Sequence, residues 1–251
     1  IDIHTHLLPG VDDGSTALEQ SLPVLERFGR EGVEVVVCTP HLLATDADRV
    51  DDERYAAIFD ELVAAAPAAP RLLRGWEIML DAPGIDLDGP HLGLGGSSAV
   101  LVEFPRLNVP ASASQELFRI RSSGRVPVLA HPERYWGCSP ERVAEWRRAG
   151  AVIQLDGTML LAGGPIGKLA RALLEQGLVD CIASDNHGDI RSLAMARRWL
   201  QELGAAEHAA LLTRTNADRL LRDEPVLPVA PLPRLERGML MRFKQLLLGR
   251  R

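Results

Sequence analysis

The residues most suited to chemistry in this chain are histidines and carboxylates in short, spaced pairs. Ile3-His4-Thr5-His6 and Ser184-Asp185-Asn186-His187 each place two ligand-type side chains two residues apart. In extended backbone that spacing sends both to one side. Thr39-Pro40-His41, Glu77, Glu103 and His131 follow apolar runs in the same way, and Asp12-Asp13 sits on a loop where only one of the two carboxylates need bind. So many imidazoles and acids exceed the needs of one tetrahedral ion, and would crowd unpaired charge unless cations neutralise them. Two or three ions sharing a bridging carboxylate would use about nine ligands, with metals roughly 3.5–4 Å apart that activate water and clamp the oxygens of an in-line displacement at phosphorus. With no thiolate in the set, Mn, Fe or Zn held by N and O ligands is expected.

The elements that must position these residues are short. Aliphatic runs predict strands near Ile1–His4, Val33–Cys38, Arg71–Ile78, Ala99–Phe104, Val126–Ala130, Ala151–Leu155 and Val179–Ala183. Apolar spacing of period 3.6 predicts helices over Leu18–Arg30, Asp51–Ala66, Ala113–Ser123, Pro140–Ala149, Pro165–Gln176 and Leu193–Leu203. Gly32, Gly124, Gly150 and Gly177 fall between helix and strand, and Pro140 and Pro165 suit a first helical turn. Seven alternations imply parallel strands in a barrel or an open doubly wound sheet. Five of the seven histidines then lie at C-terminal strand ends, the exceptions being His91 and His208. On a parallel barrel that face carries the active site.

Composition narrows the class. A length of 251 residues with 46% hydrophobic and 25% charged side chains fits one α/β barrel, and no run approaches the ~18 apolar residues of a membrane span. The net charge of −6 disfavours a general nucleic-acid binder. Residues 232–251, however, carry six basic groups and one acid. From Arg234, Leu235, Met239, Phe243, Leu246 and Leu247 share one helical face, which predicts a basic amphipathic helix after a Pro-rich connector. Its two expected roles are a helix docked on the barrel or in a homo-oligomer interface, and a contact with a membrane surface. Cys38, Cys138 and Cys181 form no CxxC pair, and none has Arg six positions later, so a cysteine-based phosphatase loop is excluded. With no signal-like segment, a reducing cytoplasm is the expected location, peripheral to the inner face of the membrane if the tail engages it.

The segments Ile1–His6, Pro9–Gly14, Thr39–His41, Glu77-Ile78, Val102–Phe104, Ala130–Tyr135 and Ile182–His187 resemble the polymerase-and-histidinol-phosphatase (PHP) superfamily, and within it the bacterial capsular-polysaccharide protein-tyrosine phosphatases. That resemblance implies a single-domain distorted (β/α)7 barrel over residues 1–222, with residues 223–251 as connector and tail, and a trinuclear, usually Mn-dependent, site. Carried over, His4, His6, Glu77 and Asp185 would hold one ion. Bridging Glu77 with Glu103 and His131 would hold the second, and Asp13, His41 and His187 the third. Arg134 would grip the substrate phosphate. Arg191 is the candidate for a second phosphate-binding Arg, at a spacing one residue shorter than the family's. Asp156, often Asn in relatives, is left out of the ligand set because a carboxylate there repels phosphate unless it faces away or meets a cation.

The implied activity is dephosphorylation of a bacterial tyrosine kinase that regulates capsular or exopolysaccharide synthesis, by attack of metal-bound hydroxide on phosphotyrosine. Tyr135 and Trp136 are available to flank an aromatic substrate, with loop packing the simpler expectation for Trp136. The rival readings are another PHP phosphoesterase (histidinol-phosphate phosphatase or nuclease) and a non-catalytic phosphotyrosine-binding module. An amidohydrolase, which also opens with His-x-His, often uses a strand-end lysine, and neither Lys168 nor Lys244 is so placed.

Overall fold

Strands that are mostly buried on both faces and one apolar stripe per helix explain how this chain folds. The structure is a computed structural model and describes residues 1–233. Strands and helices alternate as β1 (Asp2–Thr5), α1 (Leu18–Arg30), β2 (Val35–Cys38), β3 (His41–Leu43), α2 (Asp52–Ala65), β4 (Arg71–Arg74), β5 (Glu77–Met79), β6 (Ala99–Glu103), α3 (Ala113–Ser122), β7 (Val126–Ala130), α4 (Pro140–Arg148), β8 (Val152–Asp156), α5 (Gly164–Glu175), β9 (Cys181–Ala183) and α6 (Leu193–Glu202). The fold is α/β with parallel strands, in sheets ordered β1-β2-β4 and β3-β5-β6-β7-β8-β9. The predicted basic helix from Arg234 to Arg251 lies outside the described residues.

Two predicted strands are each interrupted. Val33–Cys38 stops at Thr39-Pro40 and resumes as β3, while Arg71–Ile78 divides at Gly75-Trp76 into β4 and β5. Pro40 has no N–H for the ladder. The break is shared in step, because Gly75 N donates to Cys38 O (3.0 Å) and Glu77 N to Pro40 O (3.0 Å). A Cβ at Gly75 would lie 2.9 Å from Leu94 Cδ2 and 3.1 Å from Val37 Cγ1, so a larger residue there would have to push these side chains aside. At the other side, β1 and β9 meet through a Thr5–Asn186 bridge, with Asp185 N donating to His4 O (3.0 Å) and His6 N to Asn186 O (2.7 Å).

Alternation then sorts the side chains. Val100, Val102, Leu129, Ile153, Leu155 and Ile182 pack with Trp146, Trp199 and Phe104 against the helices. Ile3, Val37, Leu101, Val128, Val152 and Cys181 form a second core on the opposite face. Following that second face to the strand ends reaches Glu103, Gln154 and Asp156, all buried. Polar residues thus collect at one end of an otherwise apolar interior.

The helix termini follow the expected chemistry. Ser139 and Ser192 cap α4 and α6 by accepting from Arg142 N and Ala194 N, and Gly150 ends α4 with φ +102°. Beyond α6, a region left unassigned from sequence forms α7 (Ala206–Ala210), a π turn (Leu211–Thr215) and α8 (Asn216–Leu221). This arm closes the end opposite the polar cluster. The N-terminal ammonium donates to Thr213 O (3.0 Å), and Asn216 Nδ2 donates to Asp180 O (2.7 Å). Among the described residues no helix is long and apolar enough to cross a membrane.

Candidate metal centre

Glu77, fully buried at the start of β5, is the hub. Its Oε2 lies 3.2 Å from His4 Nε2, 3.2 Å from His6 Nε2 and 3.0 Å from His41 Nδ1, while Oε1 accepts from His131 Nε2 at 2.7 Å. Asp185 Oδ1 is 3.2 Å from each of His4 Nε2 and His6 Nε2, which are themselves 3.2 Å apart. Five of the six separations among these four donor atoms are thus 3.2 Å, the spacing expected of ligands about 2 Å from one shared ion. Around this cage, donor atoms of His6, Asp13, His41 and His187, and of His41, Glu77 and Glu103, also lie within 4.8 Å of one another. All nine expected ligands therefore meet at one place. His131 is 3.8 Å from Glu103 as well as touching Glu77, and His41 turns Nδ1 to the Glu77–Glu103 side and Nε2 to Asp13 (3.3 Å). His91 and His208 instead bond Ala47 O and Ala230 O, away from the cluster.

Whether this set fits cations is decided by what the protein leaves unpaired. Glu77 Oε2 and Glu103 Oε2 are buried and make no hydrogen bond. Two such oxygens beside imidazole nitrogens would be costly without a positive charge between them. Proton affinities carry the same message. Burial opposes charge on His4, yet Glu77 and Asp185 raise its pKa to about 9. Burial likewise opposes ionisation of Glu77 and Asp185, and the neighbouring imidazoles, with Arg134 at Asp185, drive both well below the ordinary carboxylate range. Glu103 is pushed up to about 7 by burial and by Glu77, which His41, Arg106 and His4 only partly offset. The residues fit metal binding through N and O donors.

Orienting groups complete the ligands. Asp12 Oδ2 is 2.6 Å from His6 Nδ1 and also accepts from His41 N (3.1 Å), leaving His6 Nε2 for the cage. Asp13 points the other way and is 71% exposed, which separates the roles of these adjacent acids. Gln154 Oε1 sits 2.9 Å from His4 Nδ1 and fixes that ring in the same manner. Gln154 was missed in the sequence; its signal was a polar residue inside the apolar run Val152–Leu155, on the same face as Asp156. Gly14 allows the loop to press on β1, since a Cβ there would be 2.1 Å from His6 O. His131 and Asp185 hold φ +33° and +49°, rare for side chains of this size and concentrated where function requires strain.

At the lip, Arg134 Nη2 contacts Asp156 and lies 2.6 Å from Asp185 Oδ2. Asp156 thus meets a cation, the condition under which a carboxylate there is tolerable. Arg191 binds Asp189 (2.8 Å) and approaches Asp185 at 3.5 Å, so it too borders the cluster. Cys38 and Cys181 are buried and far from thiolate character; burial pushes Cys38 up to about 12. Tyr135 is buried, its hydroxyl donating to Ala130 O (2.9 Å) and accepting from Phe104 N (3.1 Å), so it is scaffold. Trp136 departs from the expected loop packing and is 77% exposed.

The family model for capsular polysaccharide synthesis proteins of the CpsB/CapC type matches residues 1–222. The chain belongs to the CpsB/CapC family. It is 29% identical over 254 residues to the tyrosine-protein phosphatase YwqE of Bacillus subtilis, covering 93% of this chain and 96% of that protein. It is 29% identical over 243 residues to the tyrosine-protein phosphatase CpsB of Streptococcus agalactiae, covering 89% and 98%. A solved structure from work on YwqE of Bacillus subtilis and CpsB of Streptococcus pneumoniae, described there as unique metal-dependent tyrosine phosphatases, superposes with a TM-score of 0.75 at 27% identity, over 93% of this chain and 99% of that one. An organophosphorus hydrolase mutant at 14% identity and a TM-score of 0.56 shares the fold.

Proposed function

We propose that this CpsB/CapC chain is a metal-dependent protein-tyrosine phosphatase acting in capsular or exopolysaccharide synthesis. The observation that carries the reading is the donor set gathered round Glu77 with Arg134 at its lip, in a chain whose three thiols are all held protonated by their surroundings. His4, His6, Glu77 and Asp185 would hold one cation, Glu77 and Glu103 with His131 a second, and Asp13, His41 and His187 a third. Mn is the proposed metal, on the family resemblance and the mixed imidazole and carboxylate donors. When bound, such cations supply Lewis-acid activation of water and neutralise phosphate charge.

The chain's own residues do the rest. Arg134 presents a planar fork to two non-bridging phosphate oxygens, and Arg191 adds a second positive group at the rim. Asp12 and Gln154 keep His6 and His4 in the tautomers that turn Nε2 inward. The leaving phenolate, with a conjugate-acid pKa of about 10, needs less protonation than a serine alkoxide would, which favours phosphotyrosine.

The wider reading places residues 1–222 in one distorted (β/α)7 barrel, supported by the β1–β9 bridge and by the parallel pairing within both sheets. Residues 223–251 follow as connector and tail. The substrate would be a phosphorylated tyrosine kinase in the cytoplasm. The tail's charge of +5 over residues 232–251 supports contact with a membrane surface, and its apolar stripe supports a homo-oligomer interface. Liposome sedimentation of the full chain against one ending at Leu227, with the oligomeric state of each, distinguishes these roles. For the activity itself, purified protein is assayed for metal content and for turnover of phosphotyrosine and phosphoserine peptides, before and after chelation and Mn readdition. Turnover of phosphotyrosine that survives complete metal removal would overturn the proposal.

A further inference from the structure

Large exposed apolar side chains on a rim need an explanation when the backbone beneath them is rigid. Leu107, after β6, is 85% exposed, and Trp136, after β7, is 77% exposed. Their loops are joined by Trp136 N donating to Arg106 O at 2.8 Å, and the first loop is itself turned by Asn108 N donating to Pro105 O at 3.1 Å. Beneath them the Tyr135 hydroxyl ties Ala130 O to Phe104 N, and its ring stands edge-on to Phe104 and Trp146. The two side chains therefore project from a fixed ledge.

The position of the ledge indicates what covers it. Arg106 Nε is 3.9 Å from Glu103 Oε2, and Arg134, two residues before Trp136, reaches Asp185 across the mouth. A phosphate held at Arg134 brings whatever is attached to it past this ledge. The tyrosyl ring is joined directly to that phosphate, whereas the chain leads outward from Arg134 through buried Tyr135 before Trp136 emerges. The surface next encountered belongs to residues flanking the phosphotyrosine. Trp is the residue type most enriched where a few contacts carry binding energy.

We propose that Leu107 and Trp136 form an apolar subsite for the side chain adjacent to phosphotyrosine in a polypeptide substrate, selecting apolar or aromatic neighbours over acidic ones. The inference rests on the tyrosine-phosphatase reading and adds substrate selectivity to it.

The test uses full-length Trp136→Ala, Leu107→Ala and the double variant with three substrates: p-nitrophenyl phosphate, a phosphotyrosine peptide flanked by Leu and Phe, and the same peptide flanked by Glu. The expected result for the double variant is a KM about tenfold higher for the apolar peptide, as loss of roughly one buried apolar contact implies, with kcat within about twofold. p-Nitrophenyl phosphate, whose ring matches the tyrosyl group, should change by less than about twofold in kcat/KM, and the wild-type preference for the apolar peptide should disappear. Equal losses on p-nitrophenyl phosphate and peptide would overturn the subsite by assigning the ledge to the ring, and unchanged kinetics on every substrate would overturn it outright. Wild-type protein that hydrolyses p-nitrophenyl phosphate but neither peptide would instead remove the tyrosine-phosphatase reading on which the subsite rests.

Discussion

The buried carboxylate of Asp156 holds the guanidinium of Arg134 from beneath, while Asp185 holds it from across the mouth. Asp156 is itself fixed, its Oδ1 accepting from both Thr158 N (2.8 Å) and Thr158 Oγ1 (2.7 Å). The pairing aims the guanidinium at the site and cancels a charge that would otherwise repel phosphate. Asp156→Ala should raise KM about tenfold with a smaller change in kcat, since a charge-assisted bond contributes about 1.5–3 kcal/mol and Asp185 remains as second tether. Asp156→Asn keeps an acceptor and should cost less. Inhibition by inorganic phosphate should weaken in parallel, and an unchanged inhibition constant in the Ala variant would sink the clamp.

His6→Ala and Glu103→Ala should each lower turnover by about a thousandfold or more while circular dichroism remains native, because the loss falls on the metal donors. Cys38→Ser should retain activity within about twofold, as its thiol is buried and held protonated. Loss of activity in Cys38→Ser with metal content intact would contradict a metal-based reaction.

The orienting residues should act through the ions. Asp12→Ala and Gln154→Leu remove the partners of His6 Nδ1 and His4 Nδ1 and should weaken metal affinity by about 10- to 100-fold. Saturating Mn should restore most turnover in both. Titration with a competing chelator measures the shift, and wild-type affinity in both variants would refute the roles.

Cation entry must displace protons. The pKa of His4 is raised to about 9 and that of His6 well above its ordinary value, against burial, by Glu77, Asp185 and Asp12. Below pH 9 His4 is mainly protonated in the metal-free protein, so binding at pH 7 should release protons and the apparent affinity should climb with pH towards 9. Calorimetry in two buffers of different ionisation enthalpy reads the number released. Zero release at pH 7 would contradict this protonation state.

Chelation should also cost stability. A cation present at a hundred times its dissociation constant adds about 2.7 kcal/mol. For a chain of this size its removal should lower Tm by roughly 5–10 °C. Differential scanning calorimetry with and without chelator decides, and equal transitions would mean that the buried acids do not depend on metal for compensation.

Much of this molecule was legible because strand ends are marked by residue type. A run such as Ala99–Glu103 or Cys181–Asp185 passes from aliphatic to carboxylate within one face, and the helix stripes were long enough to read. The interruptions at Pro40 and Gly75 were hidden, because their hydrogen bonds come from each other's strand rather than from local sequence. The helical arm over residues 206–221 was hidden as well: its reasons are long-range, such as Asn216 reaching Asp180. At the site, residue types could name Asp12 and Asp13 but could not order them, since the distinction is which one faces His6. Gln154 escaped because an amide is not a metal ligand, and its role appears only once β8 and β1 are brought together on either side of β9.

The cage that joins His4 and His6 to Asp185 draws its halves from the first strand and the last. No shorter stretch of polypeptide owns it, so during synthesis the ribosome must release the segment after β9 before this cage can capture a cation. A cation in that cage therefore reports that the first and last strands have met.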